Sequence, residues 1–446
     1  MPVCFALRIG ARAGPRRGTM GGMHARASAG LVSLLLAIIV DLHAGDVPRE
    51  PPRDWVDSDT GHRVVRLSQE GGSQSLYFHQ NPYTPDGSRL IITTPTGLAA
   101  IDLKTRAIEK IVDGRVNPIM TGRKTGRAYY VRAGAVYAVD PASKTSSEIA
   151  KLPPHAAMAS VNADETLLAG TITEGTVPDA SGAPPREPEP RARGDAPQPA
   201  RDSYPGKDDM MERRLAARLP MQLFTLNTKT GEVKTILRST DWLNHVQFSP
   251  TDPGLLLFCH EGPWHKVDRT WTIRTDGSGL TQIHHRTMLM EIEGHEFFAA
   301  DGRTVWYDLQ TPRSEVFWLA GYELATGRRT WYHVDRSEWS VHFNASPDGT
   351  LFAGDGGGPA SVAAPGNGQW IYLFRPQLVA DRTGDALPNA GDLVRPGVLK
   401  AEKLVNLGGH DYSLEPNVTF TPDMQWIVFR SNMFGATHVY AVAVNK

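Results

Sequence analysis

The chain of 446 residues carries 47 Lys and Arg against 48 Asp and Glu, a formal net charge of -1. That balance removes the positive footprint by which a protein grips nucleic acid through its phosphates. The length allows two or three ordinary domains or one large all-β domain.

Residues 1–44 read as a signal peptide. A basic region (Arg8, Arg12, Arg16, Arg17, Arg26) precedes an apolar run from Leu31 to Val40, and Leu42-His43-Ala44 offers a cleavage site before Gly45. The run is too short to span a bilayer, so a periplasmic or secreted protein without a membrane anchor is expected, the alternative being a miscalled start ahead of a cytoplasmic protein. Of the two cysteines, Cys4 and Cys259, only the second survives cleavage. The mature fold then has no internal disulfide and must be held by its core. Cys259, at the end of LLLFC, reads as a buried small hydrophobe.

From Asp54 onward, short runs of β-branched and aromatic residues alternate with Gly, Pro, Asn and Asp turns, the pattern of strands rather than helices. One phrase recurs: YTPDGSRLIITT at Tyr83, VNADETLLAGT at Val161, FSPTDPGLLLF at Phe248, FAADGRTVWYD at Phe298, ASPDGTLFAGD at Ala345 and FTPDMQWIVFR at Phe420. Each places an Asp-containing turn between two strands. Asp252 and Asp301 are about 49 residues apart and Asp301 and Asp348 about 47, the size of a four-stranded propeller blade. The wider gaps, Asp86 to Asp164 and Asp348 to Asp423, are roughly 75 to 80 residues and must hold a degenerate blade or inserted loops. TGRKTGRAYYVRAGAVYAVD suits a degenerate blade. The units number seven if GHRVVRLSQ, ahead of His79, supplies an outer strand to the last blade. Residues 45–446 are therefore expected to form a single seven-bladed β-propeller, closed by strands from both ends so that no sheet edge stays open. Two β-sandwiches would need a central linker, and Leu223 to Leu319 runs through without one.

Two segments stand outside the blades. Residues 176–209 are rich in Pro, Ala, Arg and Asp and poor in large apolar side chains, so a disordered inserted loop is expected. DDMMERRLAARLP, at its end, reads as a surface helix. Residues 377–401 read as a second, shorter excursion.

Motifs for several chemistries are missing: no GxSxG elbow, Walker loop or HExxH occurs. Histidines remain. His79, His245, His260, His295, His342 and His410 each stand beside an expected inner strand, and in a propeller such positions converge on one channel mouth. For any one of them a structural hydrogen bond between blades is the competing role. Glu415 and Asn417, two apart in SLEPNVTF, face the same way on a strand. With His342 and His410 nearby they form a mixed nitrogen and oxygen set suited to a divalent ion such as Mn²⁺. The competing reading is a strand-start turn in which Asn417 bonds the backbone.

Taken together, FCHEGPWHKVDRTWTI, GHEFF, Ser340-Val341-His342 before SPDGTLFAGDG, and the closing FTPD resemble the oligogalacturonate lyases, β-propeller enzymes that cleave short uronide chains by β-elimination. The resemblance runs from about Phe78 to the C-terminus. It implies His295 as the proton-abstracting base, Arg269 as its assisting arginine and His342 as a metal ligand. Where better-known members carry a Gln-x-x-His-x-His run, this chain has Tyr412, Glu415 and Asn417, which leaves Glu415 and Asn417 as ligands with His410 in place of the glutamine. His79, His260 and Lys266 are candidates for binding a second uronate or protonating the leaving oxygen. The implied partner is a small acidic oligosaccharide derived from pectin, and the implied cofactor is a divalent metal, Mn²⁺. A different class of function remains alongside: a non-catalytic periplasmic propeller that binds a protein or a carbohydrate.

Overall fold

The computed structural model describes residues 50–175, 207–380 and 387–446. The expected leader lies outside them, as does the inserted loop up to residue 206. The described chain is all-β apart from short 3-10 turns and one α-helix, Lys207–Ala217, where the helical pattern was expected. No described helix is long and apolar enough to cross a membrane.

The Asp of each recurring phrase has one physical job. The Asp86, Asp164, Asp252, Asp301, Asp348 and Asp423 Oδ1 atoms each accept the backbone N–H two residues ahead, at 2.9 to 3.2 Å. The side chain thus imitates a backbone turn and fixes the hairpin that follows.

Strand pairing among the described residues gives six sheets. Three strands between Arg89 and Asp113 form the first, and four-stranded sheets follow over 117–151, 156–239 and 242–282. An eight-stranded sheet comes next. In it, Ile292–Phe298, Thr304–Gln310, Phe317–Glu323 and Arg329–Val334 form one antiparallel half. Phe343–Ala345, Phe352–Gly354, Trp370–Leu378 and Arg395–Asn406 form the other. The halves are joined by parallel pairing of Arg329–Val334 with Arg395–Asn406. The expected excursion over residues 377–401 is therefore only partly outside the sheet, because both long strands continue into it. In the last sheet Arg63–Arg66 pairs with His438–Ala443, so GHRVVRLSQ does supply a strand to the C-terminal unit.

Seven apolar clusters lie between successive groups of strands. Leu257, Tyr307 and Leu309 fill one, Phe317, Phe343 and Phe374 the next, and Val65, Leu90 and Val439 join the last sheet to the first. Both faces of the interior strands are consequently buried, which explains their near-continuous apolar runs.

Candidate active site

Two inner strands bend at the same point. In Trp242–Phe248 the register shifts between Asn244 and Gln247, and in Ile292–Phe298 between Gly294 and Phe297. The residues within the bulges, His245 and His295, have φ of 48° and 46°, a left-handed conformation that non-glycine residues adopt at a cost. Strained positions of this kind concentrate at functional sites. Gly294 is required beside the second bulge, since a Cβ there would meet Asp308 Oδ1 at 2.9 Å. The missing side chain lets Asp308, paired opposite Gly294, reach His295.

The two bulges meet the segment Tyr77-Phe78-His79. The Tyr77 ring centroid lies 5.0 Å from that of His79, 5.9 Å from His245 and 5.1 Å from His342. Phe78 lies 4.5 Å from His342 and 6.5 Å from His295, and the His295 and His342 rings are 4.8 Å apart, edge to face. His79, His245, His295 and His342 thus form one cluster, supplied by four separate parts of the chain.

Burial and neighbouring charges tune three of these imidazoles. His295 Nδ1 is 2.8 Å from Asp308 Oδ1, which places the ring proton on Nδ1 and leaves Nε2 as the basic nitrogen. Burial lowers its pKa below 6.5, and Asp308 offsets this only in part. The ring is neutral at physiological pH. His79 is lowered further, to about 3, by burial first and then by neighbouring His245. His342 behaves oppositely: burial works downward, but Asp355 and Glu415 outweigh it and raise the pKa. Its Nδ1 is 2.7 Å from Asp355 Oδ2, and its Nε2 is 3.1 Å from the Tyr77 hydroxyl and 3.7 Å from Glu415 Oε2.

Arg269 is buried beside the first bulge. Its Nε donates to Glu296 Oε2 at 2.9 Å, its Nη2 lies 3.3 Å from His245 Nδ1, and its backbone N–H donates to Glu293 Oε1 at 2.8 Å. Burial alone would depress the guanidinium; Glu296 and Glu261 outweigh it and keep the charge fixed. Glu296 is itself held well below the carboxylate range, Arg269 and His245 overcoming its burial. His245, Cys259 and Glu296 bring three donor atoms within 4.8 Å of one another. Arg269 already contacts two of the three, and a fixed guanidinium opposes a second cation there.

Of the residues expected from sequence, His79, Arg269, His295, His342 and Glu415 fall in or against this cluster. The other four are held by partners of their own, Asn417 at the edge of the cluster through Phe78 and Asp355. His260 Nδ1 pairs with Asp241 at 3.0 Å and its ring stacks on Trp271. Lys266 Nζ donates to both oxygens of Glu212, on the helix Lys207–Ala217, at 2.8 Å. His410 uses both ring nitrogens, Nδ1 with Ser431 Oγ at 2.9 Å and Nε2 with the Leu414 carbonyl at 2.7 Å. Asn417 Oδ1 accepts from Phe78 N–H at 3.1 Å, while its Nδ2 donates to the Glu415 carbonyl at 3.0 Å. Its φ is 56°. Asn417 therefore anchors the Phe78 segment.

A hard divalent ion suits the space before His342 Nε2, where an imidazole nitrogen, a carboxylate and a phenol oxygen converge. His342 and Glu415 present the donor atoms; His410 and Asn417 turn theirs to backbone and hydroxyl partners.

Sequence reasoning missed Tyr77, Glu296, Asp308 and Asp355, and named His245 among the converging histidines without giving it a catalytic role. The signal was available: Glu296 in GHEFF and Asp308 in VWYDLQ are acids inside apolar strand runs, where a carboxylate needs a specific partner.

Comparison with known proteins follows the same lines. The oligogalacturonate lyase family matches residues 214–446, more than half of the chain. This protein belongs to that family. An oligogalacturonate lyase of Dickeya dadantii (strain 3937) is 29% identical over 230 residues, 50% of this chain and 55% of its own. An oligogalacturonide lyase of Pectobacterium atrosepticum is 28% identical over 234 residues, with the same shares. The chain thus spans about half the length of the curated relatives it matches. Among solved structures, an oligogalacturonate lyase in complex with manganese superposes with a TM-score of 0.68 at 22% identity, over 88% of this chain and 96% of that one. An oligogalacturonate lyase from Vibrio parahaemolyticus gives 0.69 at 20% identity over the same shares. These two share the fold.

Proposed function

We propose that this protein is a lyase that cleaves short oligogalacturonides by β-elimination, assisted by a divalent metal, Mn²⁺. The observation that carries the reading is the neutral His295, oriented by Asp308 at 2.8 Å and edge-on to His342 at 4.8 Å. Family membership and the manganese bound by the structural relative support it. We read the fold as a seven-bladed β-propeller, the eight-stranded sheet counting as two blades. Seven apolar clusters, the last joining the two ends of the chain, support that count. Export to the periplasm or medium is part of the proposal.

Elimination begins with removal of the weakly acidic C5 proton beside the uronate carboxylate. His295 Nε2 takes that proton; the C5–H electrons form the C4–C5 double bond as the C4–O bond breaks, the leaving oxygen takes a proton from water, and His295 then returns its proton to the solvent. His295 is suited to the first step because it is uncharged and its Nδ1 is occupied by Asp308. When bound by His342 and Glu415, a divalent ion would supply positive charge to the uronate carboxylate as negative charge develops. Arg269 provides a fixed charge whose position Glu296 sets. His79, lowered to about 3, stays neutral and serves as a hydrogen-bonding group.

The test is direct. The purified protein is incubated with di- and trigalacturonate plus Mn²⁺, and the absorbance of the conjugated 4,5-unsaturated uronate is followed. A steady rise is expected, and its absence across several uronides would overturn the lyase reading in favour of a binding protein.

A further inference from the structure

Beyond the histidine cluster the structure holds a cavity of about 310 Å³, lined by Phe78, His79, Gln80, Phe298, Pro347 and Arg123 among others. Its walls come from the C-terminal ends of Ile292–Phe298 and Phe343–Ala345, whereas His295 stands in the middle of the first strand and His342 before the second. Phe78 and His79 belong to both places, so the cavity adjoins the histidine cluster through this segment.

Arg123 stands in the turn after the strand Asn117–Thr121. No carboxylate pairs with it among the described residues. The acid that reaches this turn is Glu165, and its oxygens are already used: Oε1 accepts Lys124 N–H at 2.7 Å and Thr125 N–H at 2.6 Å, and Oε2 accepts the Tyr129 hydroxyl at 2.9 Å. Arg123 is exposed to solvent and lines the cavity. An arginine that lines a cavity and has no carboxylate partner among the described residues is a ready partner for an anion, and its planar fork matches a carboxylate.

The cavity's size and lining narrow the ligand. At about 310 Å³ it is at the small end of ligand pockets, room for one sugar ring rather than a chain. The lining joins one cation to amide groups and to the apolar faces of Phe298, Pro347 and Pro422, which suit the C–H face of a sugar.

We propose that this cavity is a second, non-catalytic binding site, in which Arg123 takes the carboxylate of a single uronate unit. The ligand class rests on the uronide reading above; the anion site itself rests on the cavity and Arg123.

The test measures binding without turnover. Monomeric galacturonate, which has no glycosidic bond to cleave, is titrated calorimetrically into the full chain and into Arg123→Gln and His295→Ala. Parallel titrations use galactose and inorganic phosphate. A binding event at least tenfold weaker in Arg123→Gln, retained in His295→Ala and absent with galactose supports the proposal. An event unchanged in Arg123→Gln overturns it. Phosphate binding as tightly as galacturonate overturns the uronate assignment and leaves a simple anion site. Arg123→Lys, which keeps the charge without the fork, is expected to bind at intermediate strength, and circular dichroism checks that each variant is folded. Because the titration does not read turnover, galacturonate binding through Arg123 together with failure of the absorbance assay above would overturn the catalytic reading alone.

Discussion

His295 Nδ1 and Asp308 Oδ1 stand 2.8 Å apart because position 294 is glycine and the strand bulges at its next residue. The carboxylate selects the tautomer in which Nε2 is the base. Asp308→Asn is expected to lower kcat about 100-fold with KM nearly unchanged, within the range for general-base catalysis. Removing the carboxylate also removes its upward pull on His295. Since the base must be neutral, the acid limb of the residual pH profile should move to lower pH. Rates followed by uronate absorbance across pH 4 to 8 check both; an unshifted limb would show that Asp308 does not act through His295.

His295→Ala should remove activity by about 100-fold or more while the fold persists. Its side chain is 24% exposed and contributes little packing. Full activity in this variant would assign the base elsewhere.

The Arg269–Glu296 pair predicts a contrast in stability. Both side chains are nearly inaccessible, at 4% and 0%. Glu296→Gln leaves the guanidinium without its counter-charge and is expected to cost about 3 kcal/mol. Asp113→Asn breaks an exposed pair with Lys110 and should cost under about 0.5 kcal/mol. Urea unfolding of both variants provides the comparison, and equal effects would refute the buried pair's special weight.

Metal addition should raise the melting temperature, because an ion bound only by the folded state stabilises it by mass action. With the protein stripped by chelator and then titrated with Mn²⁺, the shift is expected to disappear in His342→Ala and Glu415→Ala. It should survive in His410→Ala, whose two ring nitrogens are engaged by Ser431 and Leu414. A lost shift in that variant would return His410 to the ligand set.

His79 predicts a pH-dependent stability. Its folded pKa of about 3 lies below the ordinary 6.5, so the unfolded chain takes up its proton first. The stabilising contribution is complete above 6.5 and is lost as pH falls from there toward 3, at up to about 1.4 kcal/mol per pH unit. His79→Gln should flatten that part of the stability curve, and a slope identical to the parent chain would count against the depressed value.

Much of the strand order was legible because its signals are local. An Asp that binds the N–H two residues ahead marks a hairpin wherever it falls, as Asp86 and Asp348 do. His295, Arg269 and His342 were legible as an ordered series of motifs. Their partners were not, because Asp308, Glu296 and Asp355 reach the histidines through strand register and bulges, which no short word in the sequence records. Asn417 shows the same limit: two residues from Glu415 it reads as a second ligand, but its φ of 56° turns the side chain to Phe78. The long strand Arg395–Asn406 was obscured by the polar residues where it leaves one half of its sheet to pair with the other.

The pairing of Arg63–Arg66 with His438–Ala443 sets a timetable for biosynthesis. The strand Arg63–Arg66 finds this hydrogen-bonding partner only after every residue up to the strand His438–Ala443 has been made. Until then Val64 and Val65, fully buried in the finished protein, remain on an open edge. Contacts so distant in sequence form slowly, and the waiting edge is where a nascent chain of this protein is most exposed to wrong pairing and most in need of a chaperone.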